Sequence, residues 1–101
     1  MSAVDTRFDG TINSPELNVY GLSFCEHCKE AKEYLKKRGF SFRYLLVDKL
    51  PRKQIPAIKR EIEPADGAAI MYPVLRIEND FLYGFNQYVW DQKLRQKAEI
   101  R

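Results

Sequence analysis

Two apolar segments separated by an amphipathic helix constrain the fold of this chain more than any other sequence feature. Residues 17–24 form a short apolar run that predicts a buried strand, and residues 40–47 predict a second one. Between them, apolar side chains recur at helical spacing over residues 26–38, and Gly39 is a typical helix stop. A strand, a helix and a strand within about thirty residues predict a parallel βαβ unit with a right-handed crossover.

The rest of the chain adds a helix, a β-hairpin and a final helix, which gives the order β-α-β-α-β-β-α. Pro56 must fall in the first turn of the middle helix or divide it, because proline is tolerated only there. The middle helix is predicted at residues 53–63. The hairpin is predicted as strands 74–77 and 81–83, joined by the three-residue turn 78–80. The last helix is predicted at residues 87–97, with Asn86 as its N-terminal cap.

The N-terminal residues carry turn signals and little periodicity. We therefore expect residues 1–15 to be a loosely docked N-terminal extension, with a short accessory strand at residues 8–12. Residues 16–101 are expected to form one domain.

Composition excludes several classes of protein. A chain of 101 residues with 45% hydrophobic content suits a single small core. The net charge of +3 is too small to indicate a nucleic-acid partner. No apolar run approaches the roughly 20 residues of a membrane span, and no signal-peptide core is present, so we expect a cytoplasmic protein.

Both cysteines of the chain lie in one motif, Cys25-Glu26-His27-Cys28, at the junction of the first strand and helix. The backbone N–H groups and dipole of a helix N-terminus stabilise a thiolate, the reactive form of cysteine. His27 would add to this stabilisation and Glu26 would oppose it; the alternative is that His27 is a solvated helix-start residue with little effect. Paired cysteines also occur in zinc sites, so the motif alone leaves redox and metal chemistry open.

Residues 19–32, which include this motif, resemble the active-site strand and helix of the glutaredoxins, and Met71-Tyr72-Pro73-Val74 resembles the family's cis-proline segment. The resemblance implies a thioredoxin fold, with a central four-stranded mixed sheet of strand order 2-1-3-4 flanked by three helices. It implies that Cys25 is the exposed nucleophile and that Cys28 resolves the mixed disulfide. Pro73 would be cis, and the backbone of Tyr72 would contact an extended substrate.

The sequence departs from the glutathione-using glutaredoxins at two places. Leu22 stands where those proteins often have a lysine that pairs with a glutathione carboxylate, and Gly84-Phe85 replaces their Gly-Gly. Gly-Phe is similar to the NrdH-type redoxins, which a separate reductase reduces. The substrate-binding residues implied by the resemblance are Phe24, Glu26, Tyr72, Pro73, Gly84 and Phe85.

The sequence therefore predicts a monomeric dithiol oxidoreductase that reduces protein disulfides, acting in electron transport and cell redox homeostasis. We expect no tightly bound cofactor beyond the Cys25–Cys28 disulfide, and no nucleic-acid or membrane partner. A thioredoxin-reductase-like or ferredoxin-linked reductase would supply electrons. The alternatives are a glutathione-dependent glutaredoxin, with glutathione as reductant, and an iron–sulfur or metal-binding protein completed by dimerisation or bound glutathione.

Overall fold

The structure, a computed structural model, describes residues 4–99, with side chains described up to residue 97. Within this described part of the chain, five strands form one mixed sheet, and three α-helices pack on it. In chain order the elements are β1 Asp5–Phe8, β2 Leu17–Gly21, α1 Glu26–Lys37, β3 Phe42–Leu46, a 3-10 helix at Val47–Lys49, α2 Ile55–Ile62, β4 Val74–Ile77, β5 Asp80–Tyr83 and α3 Gln87–Glu99.

The sheet has the order β1-β3-β2-β4-β5. Strands β2 and β3 are parallel and lie on either side of α1 in the chain, which confirms the predicted βαβ unit. The antiparallel pairs β2–β4 and β4–β5 complete the predicted order 2-1-3-4 among the last four strands. The predicted thioredoxin fold is therefore present, with five strands instead of four.

The additional strand β1 corrects the expectation of a loosely docked extension. It pairs antiparallel with β3 from Asp5 opposite Leu45 to Phe8 opposite Phe42. The rings of Phe8 and Phe42 stack at 4.9 Å. The predicted strand at residues 8–12 was misplaced, because residues 9–12 form no strand and make only one isolated parallel bridge, between Ile12 and Phe40. Residues 1–3 of the extension lie outside the described residues, and the domain boundary at residue 16 stays a prediction.

Two buried clusters hold the helices to the sheet. The larger one joins α1 and α3 to one set of strand side chains and contains Leu35 and Trp90, both at most 1% exposed. The smaller one contains Tyr20 of β2 and Ile62 of α2. Each buried aliphatic or aromatic side chain of this kind contributes about 1.5–3 kcal/mol. The cores therefore fix α1, and the cysteine motif at its start, relative to the sheet.

The element boundaries follow the capping signals, with one exception. Asn86 caps α3 as predicted, since its side-chain oxygen accepts from the Val89 N–H at 3.2 Å. Pro56 lies in the first turn of α2. The expected three-residue hairpin turn is wrong: Ile77 and Asp80 pair directly, which leaves a two-residue turn with a positive φ at Glu78. Within residues 4–99, none of the helices combines the length and the apolar character needed to cross a bilayer.

Candidate active site

Cys25 is the N-terminal cap of helix α1. Its backbone is extended, with φ −111° and ψ 113°, and its Sγ accepts a hydrogen bond from the Cys28 N–H at 3.2 Å. A sulfur atom thus takes the place of the oxygen that usually caps a helix. The side chain is partly exposed and both cysteines are free thiols. An anion at this position is stabilised by the N–H groups and dipole of the helix.

Cys28 lies one turn into the helix and is fully buried. Burial raises the pKa of the Cys28 thiol to about 12, and the hydrogen bond with Cys25 acts in the same direction. The backbone N–H of Leu22 donates to the Cys28 sulfur and lowers that pKa in part. The two thiols therefore differ in accessibility, and the inner one is protonated at neutral pH.

The loop before Cys25 is held by Asp48 of the short 3-10 helix. The Ser23 N–H donates to one Asp48 carboxylate oxygen at 2.9 Å, and the Ser23 hydroxyl donates to the other. Burial opposes ionisation, but these two bonds outweigh it and keep the pKa of Asp48 below its usual value. Because Leu22 and Cys25 flank this loop, Asp48 helps to position the backbone at both cysteines.

The Tyr72–Pro73 peptide bond is cis, as the resemblance predicts, and Pro73 is buried. The Gly84 N–H reaches the carbonyl oxygens of both Met71 and Pro73 at 2.9 Å, which fixes this segment beside β5. Gly84 has a φ of +76°, a conformation that favours glycine. The Tyr72 ring packs against both buried clusters, and its hydroxyl is buried without a partner among the described residues.

Phe85 packs chiefly as part of the core. Its ring meets Trp90 edge-on, with centroids 4.9 Å apart, and lies 5.5 Å from Tyr34. The Trp90 indole N–H donates to the Gly84 carbonyl at 3.1 Å, so the start of α3 is tied to the Gly84 turn. Phe85 is half-buried, and its predicted contact with substrate stays a prediction.

Three predicted site residues next to the cysteines point into solvent. The Phe24 side chain is 77% exposed. Glu26 is exposed and lies 3.7 Å from Lys29. The His27 Nδ1 lies 3.0 Å from a Glu30 carboxylate oxygen. Within residues 4–99, no hydrogen bond joins His27 to Cys25, and an effect of the imidazole on the thiolate stays a prediction.

Comparison with known proteins identifies the family. The sequence model of the glutaredoxin family matches residues 17–82, which span β2 to β5 and include the cysteine motif and Tyr72-Pro73. The chain belongs to the glutaredoxin family.

Solved structures share this fold. The glutaredoxin from Methanosarcina mazei Go1 has a TM-score of 0.79 and 24% identity, with 91% of this chain and 88% of that chain covered. The Archaeoglobus fulgidus glutaredoxin has a TM-score of 0.70 and 28% identity, with 78% of this chain and 85% of that chain covered. The glutaredoxin-like NrdH-redoxin from Escherichia coli has a TM-score of 0.58 and 23% identity, with 76% of this chain and 92% of that chain covered. No curated protein sequence shows significant similarity to the chain.

Glutathione is the reductant that this family implies, and the residues present fit it poorly at one place. Leu22, which the resemblance places where glutathione-using members often have a lysine, is a half-buried apolar residue that packs against the cluster around Tyr20 and Ile62. The Lys29 ammonium, on the first turns of α1, lies 3.7 Å from a Glu26 carboxylate oxygen.

Residues 4–97 contain no group of three or more His, Cys, Asp or Glu side chains arranged to hold a metal ion.

Sequence analysis did not include Ser23, Asp48 or Met71 among the site residues. Asp48 follows strand β3, and polar residues at the carboxyl ends of parallel strands commonly lie near functional sites, so a signal for it existed. Met71 directly precedes Tyr72-Pro73 and is 63% exposed, which only the structure shows.

Proposed function

We propose that this protein is a small dithiol oxidoreductase that reduces protein disulfides through Cys25 and Cys28 and is itself reduced by a separate reductase. The asymmetry of the two thiols is the observation that carries the proposal. Cys25 is partly exposed at the start of α1, whereas Cys28 is buried directly behind it with its N–H on the Cys25 sulfur at 3.2 Å. This difference in exposure supports attack by Cys25 on a substrate disulfide and resolution by Cys28.

The proposed reaction has two exchange steps. The Cys25 thiolate attacks one sulfur of a substrate disulfide, which forms a mixed disulfide and releases the other substrate sulfur as a thiolate. Cys28 then attacks Cys25, which forms the Cys25–Cys28 disulfide and releases the second substrate thiol. The Cys28 proton passes to a departing thiolate, and two electrons move from the protein to the substrate.

A protein reductase is the proposed electron donor. Leu22 offers no charge to a glutathione carboxylate, and its partly buried side chain packs against the smaller core cluster. NrdH-redoxin, whose fold the chain shares, is described as a glutaredoxin-like protein with a thioredoxin-like activity profile. The thioredoxin-reductase-like or ferredoxin-linked class would regenerate the dithiol by attack of its own thiolate on the Cys25–Cys28 disulfide.

Reduction of insulin disulfides with three donors tests the proposal. The donors are glutathione with its reductase, NADPH-linked thioredoxin reductase, and a ferredoxin-linked reductase. We expect turnover with one of the two protein reductases and little with glutathione. Cys25→Ser should abolish turnover, whereas Cys28→Ser should accumulate a mixed disulfide visible by mass spectrometry. A protein with an intact dithiol that no donor turns over would refute the proposal.

Family membership favours a second candidate, a glutathione-dependent glutaredoxin. It predicts that Cys28→Ser keeps its activity on a glutathionylated peptide, because one cysteine suffices for that exchange. An iron–sulfur or metal-binding role requires ligands from a second chain or from glutathione. A coloured protein isolated without oxygen, with iron bound at the cysteines, would support that alternative.

A further inference from the structure

A buried tyrosine lies next to the inner cysteine of the pair. Tyr44 is on strand β3, belongs to the core cluster that contains Cys28, and is 8% exposed. A Cβ added to Gly21, the last residue of β2, would lie 2.9 Å from the Tyr44 hydroxyl oxygen and 3.3 Å from the Cys28 Cβ. The hydroxyl and Cys28 therefore lie close together, in the space that the missing side chain of Gly21 leaves open.

The surroundings of this hydroxyl keep it protonated. Burial raises the pKa of Tyr44 to about 12, and the nearby Cys28, Cys25 and Asp48 act in the same direction. The Lys32 ammonium of α1 lies 5.4 Å from the centre of the Tyr44 ring. At neutral pH the phenol is therefore a neutral hydrogen-bond donor beside a buried thiol.

The second exchange step requires an anion at Cys28. Burial is the main cause that raises the pKa of Cys28, and the hydrogen bond with Cys25 adds to it. Once Cys25 has entered a mixed disulfide it carries no charge, and burial remains the chief obstacle to ionisation of Cys28. The Leu22 N–H lowers the pKa of Cys28. A phenol that donates to the same sulfur would stabilise the thiolate further, because hydrogen bonds to ionised groups are the stronger ones.

We propose that the Tyr44 hydroxyl donates a hydrogen bond to the Cys28 sulfur as this thiol ionises, which makes Tyr44 a further residue of the resolving step. The proposal rests on the proposed function and adds a donor to its second exchange. The Cys28 thiolate attacks the Cys25 sulfur, and the bond between Cys25 and the substrate breaks with its electron pair on the substrate sulfur. That departing thiolate takes up the proton that Cys28 released, and Tyr44 keeps its own proton.

Loss of the hydroxyl should slow resolution and leave the first attack unchanged. A lost hydrogen bond to a charged group lowers the fraction of thiolate by about tenfold or more. The thiolate that still forms is more basic and therefore more nucleophilic, which offsets part of this loss. Tyr44→Phe should accordingly slow the resolving step about three- to tenfold.

Single-turnover exchange separates the two steps without any reductase. The pre-reduced full chain is mixed with an excess of a disulfide-linked peptide and quenched with acid at intervals. Mass spectrometry then counts the mixed disulfide and the Cys25–Cys28 disulfide. The first step depends on peptide concentration, whereas resolution does not. In Tyr44→Phe we expect the mixed disulfide to form at the wild-type rate and to persist about three to ten times longer.

Tyr34→Phe is the matched control. Tyr34 lies in the same core cluster and is also 8% exposed, but its hydroxyl donates to Asp91 of α3. The substitution removes an equally buried hydroxyl far from the resolving sulfur, so both steps should keep their wild-type rates. Equal slowing of resolution in Tyr34→Phe and Tyr44→Phe would assign the effect to loosened packing and overturn the proposal.

Tyr72 is the rival donor, because its hydroxyl is buried without a partner among residues 4–97. Burial raises the pKa of Tyr72, and Cys28 acts in the same direction. Slow resolution in Tyr72→Phe, together with wild-type resolution in Tyr44→Phe, would transfer the role to Tyr72 and refute the proposal.

Gly21→Ala tests the same contact with the hydroxyl retained, which keeps the proposal testable if Tyr44→Phe fails to fold. The added Cβ would fill the gap and displace the hydroxyl from Cys28, so resolution should slow relative to the first step. A folded Gly21→Ala protein that resolves at the wild-type rate would contradict the proposal.

The same experiment distinguishes failure of this inference from failure of the proposed function. A wild-type protein that forms no mixed disulfide defeats the proposed function itself. Normal formation and normal resolution of the mixed disulfide in Tyr44→Phe defeat only the role of Tyr44.

Discussion

Replacement of Asp48 by Ala should destabilise the protein by removing both acceptors that hold Ser23. A net hydrogen bond to a charged group contributes about 1.5–3 kcal/mol. Because Asp48 is partly exposed, the lower value applies to each bond, which gives about 3 kcal/mol for the pair. That loss is large against the roughly 5–15 kcal/mol by which small domains are stable.

The effect of Asp48→Ala should depend on pH with a definite sign. Although burial opposes ionisation, the Ser23 bonds hold the pKa of folded Asp48 below its usual value, so the folded state favours the carboxylate more than the unfolded state does. Its contribution to the free energy of unfolding is therefore complete above about pH 4 and falls as the pH drops through the folded pKa. The stability difference between wild type and Asp48→Ala should be constant from pH 5 to 7, by this linkage, and should shrink below about pH 4.

Urea unfolding of a double-mutant cycle measures the contact directly. If the free energy of unfolding falls by about 1.5 kcal/mol per M urea, Asp48→Ala should lower the urea concentration at the unfolding midpoint by about 2 M. Ser23→Ala removes only the hydroxyl bond, so the two substitutions should couple by about 1–2 kcal/mol. Additive losses in the double variant, or a difference that persists unchanged down to pH 3, would refute the role assigned to the Ser23–Asp48 contact.

Three further predictions concern packing and thiol accessibility. A Cβ at Gly10 would lie 2.2 Å from the Gly39 carbonyl oxygen, so Gly10→Ala should cost about 2–3 kcal/mol and lower Tm by about 10 °C or more; a fall under about 3 °C would contradict the close approach. Trp90→Phe should cost about 1–3 kcal/mol because the Gly84 carbonyl loses its indole donor, and unchanged stability by circular dichroism would argue against that contact. Because burial raises the pKa of Cys28 to about 12, iodoacetamide at pH 8 should label one thiol per folded chain and two in urea; mass spectrometry showing two labels before unfolding would contradict the burial.

Local sequence signals account for most of the fold. Periodicity and capping residues are properties of neighbouring residues, and they located α1, the hairpin strands and the Asn86 cap to within about two residues. Strand β1 escaped prediction because its four residues, Asp-Thr-Arg-Phe, have no apolar alternation. What holds β1 is pairing with β3, including the Asp5–Arg43 ion pair, and such nonlocal contacts leave no local pattern.

The active-site region divides in the same way. The cysteine motif and Tyr72-Pro73 are each a continuous run of residues, so both could be found from the sequence. Tyr72-Pro73 was found only through the family resemblance. The Ser23–Asp48 contact joins residues 25 positions apart, and the exposure of Met71 depends on how its segment meets β5. The packing of Phe85 depends likewise on Trp90, a contact that no local sequence pattern shows.

Strand β1 also changes which part of the sheet can pair with other chains. Without it, β3 would present a row of free N–H and C=O groups, and such edges promote association between unrelated chains. With β1 in place, the outer strands are β1 and β5. The former carries Asp5 and Arg7, and the latter begins at Asp80, which pairs with Lys97. Charged side chains on edge strands discourage sheet-to-sheet addition. The N-terminal segment should thus protect the protein from aggregation at high concentration.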